Sequence, residues 1–203
     1  MSGDIVLASS SPRRREILAR LKIAVEVVTP DVDEQRRPEE PAADFARRAA
    51  REKADAVARE LAKQQRFPWI IAADTVVVID GEPLGKPRDD AQARQMLTAL
   101  SGRVHRVMTG WSVLKHEPRC ERSDVEVTRV RFKQLSPEEI AGYVATGEGR
   151  DKAGSYGIQG LGCFLVAGIE GNYENVVGLP ACPIVDTLRA LGAVDTYPPR
   201  ETR

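Results

Sequence analysis

The sequence predicts an α/β fold, and three stretches carry that prediction. Ile5-Val6-Leu7-Ala8 is a short apolar run of the kind buried in a sheet, and a polar turn links it directly to a helix start at Pro12. Pro41 to Gln65 places Phe45, Ala49, Ala50, Ala54, Val57, Ala58 and Leu61 along one side of a long amphipathic helix. Trp69 to Ile79 is the strongest buried-strand signal in the chain, interrupted by Asp74. At 203 residues the chain is long enough for one α/β domain or two small lobes.

Composition narrows the function classes. Hydrophobic residues make up 42% and charged residues 30%, ordinary values for a soluble globular protein. Thirty Lys and Arg balance thirty Asp and Glu, so nothing asks for a nucleic acid polymer as partner, although a local basic pocket stays open. Asp4 interrupts the N-terminus early, and no basic segment followed by an apolar one marks a signal peptide. No apolar run approaches the roughly 20 residues of a membrane span, so no membrane partner is expected. Cys120, Cys163 and Cys182 are odd in number and widely spaced. They fit neither a zinc nor a redox motif and read as reduced thiols of a cytoplasmic protein.

The first turn holds Ser9, Ser10 and Ser11, then Pro12 and the arginines Arg13, Arg14 and Arg15. A helix start offers free backbone N–H groups and a partial positive charge, so hydroxyls and arginines there suit an anion, most naturally phosphate. Ser-Pro is also common helix-capping chemistry, and exposed arginines usually face solvent, so both readings stand. The turn is not a P-loop, since it lacks the glycine spacing and the Lys-Ser/Thr pair.

Ala24 to Val28 is a second strand candidate, followed by an acidic loop with Asp31, Asp33 and Glu34. Carboxylates this close repel one another unless screened, which suits a magnesium-type ion with oxygen ligands or a solvated loop. In the long helix, Arg47, Arg48, Arg51 and Glu52 read as a solvated face with internal ion pairs. Lys53 lies among alanines and can swing inward. Asp74 is expensive to bury unpaired, so it binds a metal, pairs with a cation, or sits at a strand end facing a cleft, with a structural hydrogen bond to a turn as the alternative. Asp80-Gly81 marks a turn, and Gly85-Lys86-Pro87 holds a rigid lysine suited to phosphate.

Asp89 to Leu100 reads as a helix capped by Asp89 or Asp90. Val104 to Leu114 and Val125 to Phe132 are strands able to pair across Glu117–Arg122. His105 and His116 read as surface or packing residues. Ser136-Pro137-Glu138-Glu139 opens a helix with a capping pattern. Asp151 to Gly162 contains four glycines in twelve residues, with Lys152, Tyr156 and Gln159 among them. Charge, a stacking face and an amide could read a planar heterocycle beside a phosphate; a flexible surface loop is the alternative. Cys163 to Ile169 reads as a last strand, Gly171-Asn172-Tyr173 as a hairpin turn and Cys182 to Leu191 as a final helix. With no repeat and no long linker, residues 1–197 read as a single domain and 198–203 as a frayed tail.

Several of these pieces together resemble the Maf family of nucleoside triphosphate pyrophosphatases. They are Leu7-Ala8-Ser9 through Ser11-Pro12-Arg13-Arg14 with Glu16, Asp33-Glu34, and Ala50-Arg51-Glu52-Lys53-Ala54. Ala73-Asp74-Thr75-Val76-Val77, Gly85-Lys86-Pro87, Asp151-Lys152-Ala153-Gly154, Gly157-Ile158-Gln159-Gly160 and Gly178-Leu179-Pro180 follow in the family's order. The resemblance implies an elongated mixed sheet flanked by helices, with two lobes around a nucleotide cleft. It implies hydrolysis of a nucleoside triphosphate to the monophosphate and pyrophosphate with a divalent metal, Mg2+ or Mn2+. It makes Asp74 the proton acceptor or a metal-associated carboxylate and Glu34 a metal ligand. Ser9, Arg13, Arg14, Lys53 and Lys86 fall around the triphosphate.

Lys152 to Gly160 matches the subgroup acting on dTTP, UTP and modified pyrimidine nucleotides, which implies specificity positions at Arg13, Thr75 and Gln159. One departure is that Cys163 follows Gly162 where relatives often carry a second glycine. The family often forms dimers, so a homodimer is compatible with the resemblance. Two other classes stand beside this one. A nucleotide-binding regulator of septum formation would show little turnover, against which Asp74, Lys53 and Lys86 are intact. A phosphatase of the Asp-x-Asp type would need a second Asp two positions after Asp74, where Val76 stands.

Overall fold

The computed structural model describes residues 4–33, 35–194 and 197–198. Glu34 and the tail from residue 199 lie outside the described residues. The elements run β1 (Ile5–Ala8), α1 (Pro12–Arg20), β2 (Glu26–Val27), α2 (Ala42–Lys63), β3 (Trp69–Ile79), β4 (Glu82–Leu84) and α3 (Asp90–Leu100). There follow β5 (Val104–Lys115), β6 (Cys120–Phe132) and α4 (Pro137–Ala145), then two 3-10 segments, Ala153–Ser155 and Gly160–Leu165. β7 (Val166–Glu170), α5 (Tyr173–Val177) and α6 (Ala181–Ala190) complete the chain.

The strands form a seven-stranded sheet in the order β2-β1-β3-β5-β6-β7, with β4 paired to β3. The sheet is mixed: β1 runs parallel to β2 and β3, whereas β3–β4 and β6–β7 are antiparallel. The α/β prediction holds. No helix among the described residues is long and apolar enough to cross a membrane.

The chain divides into two compact units, Met1–Asp74 with Thr109–Glu126 and Gly178–Arg203, and Thr75–Met108 with Val127–Val177. Each has its own core. In the first, Val6, Ala8, Ile70, Ala72 and Leu114 pack against Ala54, Val57, Ala58 and Leu61 of α2. Alternate strand residues share a face, and residues three or four apart share a helix side, so the periodicities read from the sequence meet in one interface. The helix lies very close to β5 here. A Cβ placed on Gly110 would overlap the Ala46 carbonyl and the Arg47 amide. In the second unit, Val77, Ile79, Val107, Val130 and Phe132 pack against Ala93, Leu97 and Leu100 of α3 and Ile140, Tyr143 and Val144 of α4.

Caps explain two helix starts. Asp89 accepts from the Gln92 amide, and Ser136 with Glu139 forms a reciprocal capping box. Three sequence expectations need correction. Residues Cys163 to Leu165 are 3-10 helix, and the strand begins only at Val166. The Gly162 backbone lies against the Gly157 carbonyl, so the chain is coiled too tightly there to extend. Gly171 to Tyr173 is not a hairpin turn; Asn172 accepts from the Asn175 amide at 3.0 Å and caps α5. The second strand shrinks to the exposed pair Glu26–Val27.

Candidate active site

The site is built first from the end of β1. The Ser9 amide donates to the Leu7 carbonyl at 3.0 Å, turning the chain sharply as the strand stops. The buried Ser9 hydroxyl accepts from the Ser11 amide at 3.2 Å and from Arg14 Nη1 at 3.0 Å. Arg14 Nε donates to the Gly178 carbonyl at 2.8 Å, tying in the Gly178-Leu179-Pro180 segment. Arg13 stands half-buried in the first turn of α1. Capping chemistry is not what Ser11 does: it is the N-cap residue but makes no side-chain capping bond, and the first turn holds no acid. The corner is therefore cationic, with helix N–H groups whose natural partner is an anion.

Asp74 is the sixth of eleven residues in β3. It shares a face with Ile70 and Ala72, the face covered by α2, so its carboxylate points at the helix. There Lys53, one turn before Val57 and two before Leu61, reaches inward. Lys53 Nζ lies 2.6 Å from Asp74 Oδ1, with side-chain exposures of 6% and 11%. Removing one member of such a buried pair ordinarily costs about 3–5 kcal/mol, because the other charge is left uncompensated. The strand does not end at Asp74; paired this way, the carboxylate is tolerated inside a strand that continues to Ile79.

Register sets the strands that carry the two clusters side by side. Ala8 of β1 pairs with Ala72 of β3 in parallel. Ser9 stands one residue beyond that pair, just past the carboxyl end of β1, and Asp74 two residues beyond it, inside the longer β3. Carboxyl ends of parallel strands are where α/β proteins hold their ligands.

The acidic loop is held to α2 by arginine. Arg48 grips Glu40 through Nε and Nη2 at 2.7 and 2.8 Å, donates to the Gln35 carbonyl at 3.0 Å, and meets Glu52 at 2.8 Å. The Arg48 guanidinium holds the Glu40 carboxyl down at about 2. Asp33 Oδ1 accepts from the Gln35 amide at 3.1 Å, bracketing Glu34 in the sequence. A cavity of about 570 Å³ is lined here by Asp33, Arg36, Arg37, Arg48, Glu52 and Arg59 among others, but by none of Ser9, Arg14, Lys53 or Asp74. No group of three His, Cys, Asp or Glu among the described residues could by itself hold a metal ion.

The remaining expected residues lie in the second unit. Thr75 follows Asp74 directly and is half-buried; Lys86 is exposed just after β4. The Gly85 carbonyl accepts from the Gly154 amide at 3.0 Å, which ties the Gly-Lys-Pro turn to the Lys152–Gly154 segment. Lys152 Nζ meets Asp151 at 2.6 Å and also donates to the Glu148 carbonyl. Tyr156 offers no stacking face, because it is buried with its hydroxyl 2.7 Å from His105 Nε2 and its ring edge-on to Phe132. Burial pushes the His105 imidazole down to about 4, so the ring is neutral at pH 7. Gln159 is half-buried, immediately before the second 3-10 segment.

Sequence reasoning passed over two residues of this unit, Tyr143 and Glu148. The Glu148 carboxylate accepts from Tyr143 Oη at 3.0 Å and from the Leu161 and Gly162 amides at 2.8 and 2.9 Å, and the Gly157 amide donates to Tyr143 Oη at 3.1 Å. A lone glutamate before a glycine gives no periodic signal, so only folding reveals its partners. The departure at Cys163 also resolves: Gly162 needs to be glycine because it is buried against Gly157, whereas Cys163 is exposed.

Known proteins match along nearly the whole length. A dTTP/UTP pyrophosphatase of Syntrophotalea carbinolica is 50% identical over 96% of this chain and 88% of its own. A dTTP/UTP pyrophosphatase of Geobacter sulfurreducens is 48% identical over 95% and 98%, and one of Myxococcus xanthus 49% over 93% and 92%. A crystal structure of a nucleoside-triphosphatase, dITP/XTP pyrophosphatase, from Mycobacterium abscessus covers 93% of this chain and 94% of its own at 16% identity, with a TM-score of 0.42, too distant to argue from. The family model described as Maf-like protein spans residues 4–191, from the residue before β1 to the residue after α6. The motifs that first suggested the relationship thus lie inside one continuous match, and the chain belongs to the Maf family.

Proposed function

We propose that this protein hydrolyses dTTP and UTP to the nucleoside monophosphate and pyrophosphate. The observation that carries the reading is the buried Lys53–Asp74 pair on a strand that runs parallel to, and pairs with, the strand leading into the Ser9–Arg14 corner. Relatives about half identical to the chain are named for this activity.

In the proposed reaction a water oxygen bonds to the α-phosphorus and the bond from that phosphorus to the bridging oxygen breaks. Pyrophosphate leaves with the bond's electrons, and the water's proton passes to Asp74. Lys53 fixes the orientation of the Asp74 carboxylate for that task. Arg13, Arg14 and the start of α1 offer positive charge to the phosphates, where negative charge builds in the transition state, and Lys86 is assigned to them by the family resemblance. Thr75, Lys152 and Gln159 are assigned to the substrate by the family resemblance. A Gln amide can donate to O4 of uracil or thymine and accept from N3–H.

A divalent ion fits the donor chemistry. Magnesium is usually held by one or two carboxylates with substrate phosphates rather than by an all-protein cage. Asp74 supplies one hard oxygen donor, and Glu34 is the second by resemblance. Once bound, the ion would neutralise phosphate charge and lower the pKa of attacking water.

The test is product analysis. Purified protein with Mg2+ or Mn2+ is incubated with dTTP, UTP, CTP, ATP and GTP. Pyrophosphate with dTMP or UMP is expected, and most from the two uracil-type bases. Orthophosphate as the primary product, or no turnover of any nucleotide, defeats the reading.

A further inference from the structure

We infer that Glu148 is a positioning residue for base selection, acting by holding closed the loop that carries Gln159. This rests on the reading of Gln159 as the base-reading residue. The loop from Gly157 to Gly162 is fastened at both ends to one carboxylate–phenol pair. At its start the Gly157 amide donates to Tyr143 Oη at 3.1 Å. At its end the Leu161 and Gly162 amides donate to Glu148 Oε2 and Oε1, at 2.8 and 2.9 Å. Tyr143 Oη donates to Glu148 Oε1 at 3.0 Å, closing the circuit.

The glycines fit that task. A Cβ on Gly162 would strike the Gly157 carbonyl, so the two ends of the loop touch. A Cβ on Gly160, which has φ +61°, would lie 2.7 Å from Glu148 Oε2. The chain is therefore wrapped around the carboxylate, with Gln159 at the turn of the wrap. Hydrogen bonds to an ionised acceptor are roughly twice as strong as neutral ones. Two of them, from the Leu161 and Gly162 amides, fasten the end of a six-residue loop in which Ile158 is buried and Leu161 is 59% exposed. Glu148 itself touches no base in this scheme; it fixes where the Gln159 amide points. A small misplacement of such an amide weakens discrimination between uracil and cytosine, which differ at the edge it reads.

The experiment is a double-mutant cycle on the ratio of kcat/KM for UTP over CTP, with hydrogen exchange of the 157–162 amides measured alongside. Glu148→Gln is expected to lower the ratio about tenfold, chiefly through KM for UTP. The same change in a Gln159→Ala background is expected to move the ratio no further, because the two act through one contact. Faster exchange of the loop amides accompanies the loss. Tyr143→Phe, which removes only the hydroxyl, gives a smaller shift in the same direction and serves if Glu148→Gln does not fold. An unchanged ratio in Glu148→Gln, an equal fall in both backgrounds, or unaltered amide protection overturns the assignment of Glu148 while leaving Gln159 in place. An unchanged ratio in Gln159→Ala alone overturns the base-reading role of Gln159, and the selective role of Glu148 with it.

Discussion

Lys53 Nζ and Asp74 Oδ1 lie 2.6 Å apart, one on a helix and one inside a strand, with both side chains almost closed to solvent. The pair ties stability and turnover to one point. Asp74→Asn keeps an oxygen acceptor for Lys53 but loses the proposed proton acceptor. Turnover is expected to fall ~100-fold or more, with the far-UV circular dichroism of the native protein retained. Near-native turnover in a folded Asp74→Asn protein removes Asp74 from the chemistry.

Lys53→Ala behaves differently. It strands a carboxylate in a nearly dry position and is expected to cost about 3–5 kcal/mol in urea unfolding, together with loss of turnover. Unchanged stability would mean that water reaches Asp74 more freely than its burial implies.

His105 predicts acid sensitivity. Its folded-state value of about 4 lies below the ordinary 6.5 because burial disfavours the charged ring. The unfolded chain therefore binds a proton first as pH falls. Stability from this residue is intact above about 6.5, declines as pH drops through that value, and is fully lost below about 4, by about 3 kcal/mol in all. Urea midpoints at pH 7 and pH 4.5 check this. His105→Gln should flatten the difference relative to the native protein; an unchanged difference assigns the acid loss to carboxylates instead.

Two glycine-to-alanine changes should have opposite signs. Gly110→Ala drives a methyl into the backbone of α2 and is expected to destabilise by about 1–3 kcal/mol. Gly142→Ala sits in α4 with no atom within 4 Å of the new Cβ and is expected to stabilise by about 0.5–1 kcal/mol through helix propensity. Thermal melts of both proteins test the pair, and a stable Gly110→Ala protein would mean that α2 shifts readily away from β5.

Local pattern carried most of the elements. The long amphipathic repeat gave α2 within a residue or two, and the apolar run gave β3, because helix and strand periodicities are set by backbone geometry alone. Capping residues marked α3 and α4 for the same reason. The segment after Gly160 misled, since its apolar residues resemble a strand while its shape is fixed by backbone packing on Gly157. Tyr156 was misjudged because an aromatic among glycines looks exposed until His105 and Phe132, distant in sequence, close over it.

By itself the sequence determined the α/β class, the family, and which charged residues stand in the family's motifs. The tertiary structure alone decided how they pair. It set Lys53 on Asp74, Arg14 on Ser9 and Gly178, and Glu148 on the amides around Gln159. Such pairings join positions that are remote in sequence or lie around a tight turn. They depend on strand register and on how closely a helix or loop packs, and neither quantity is written in any local run of residues.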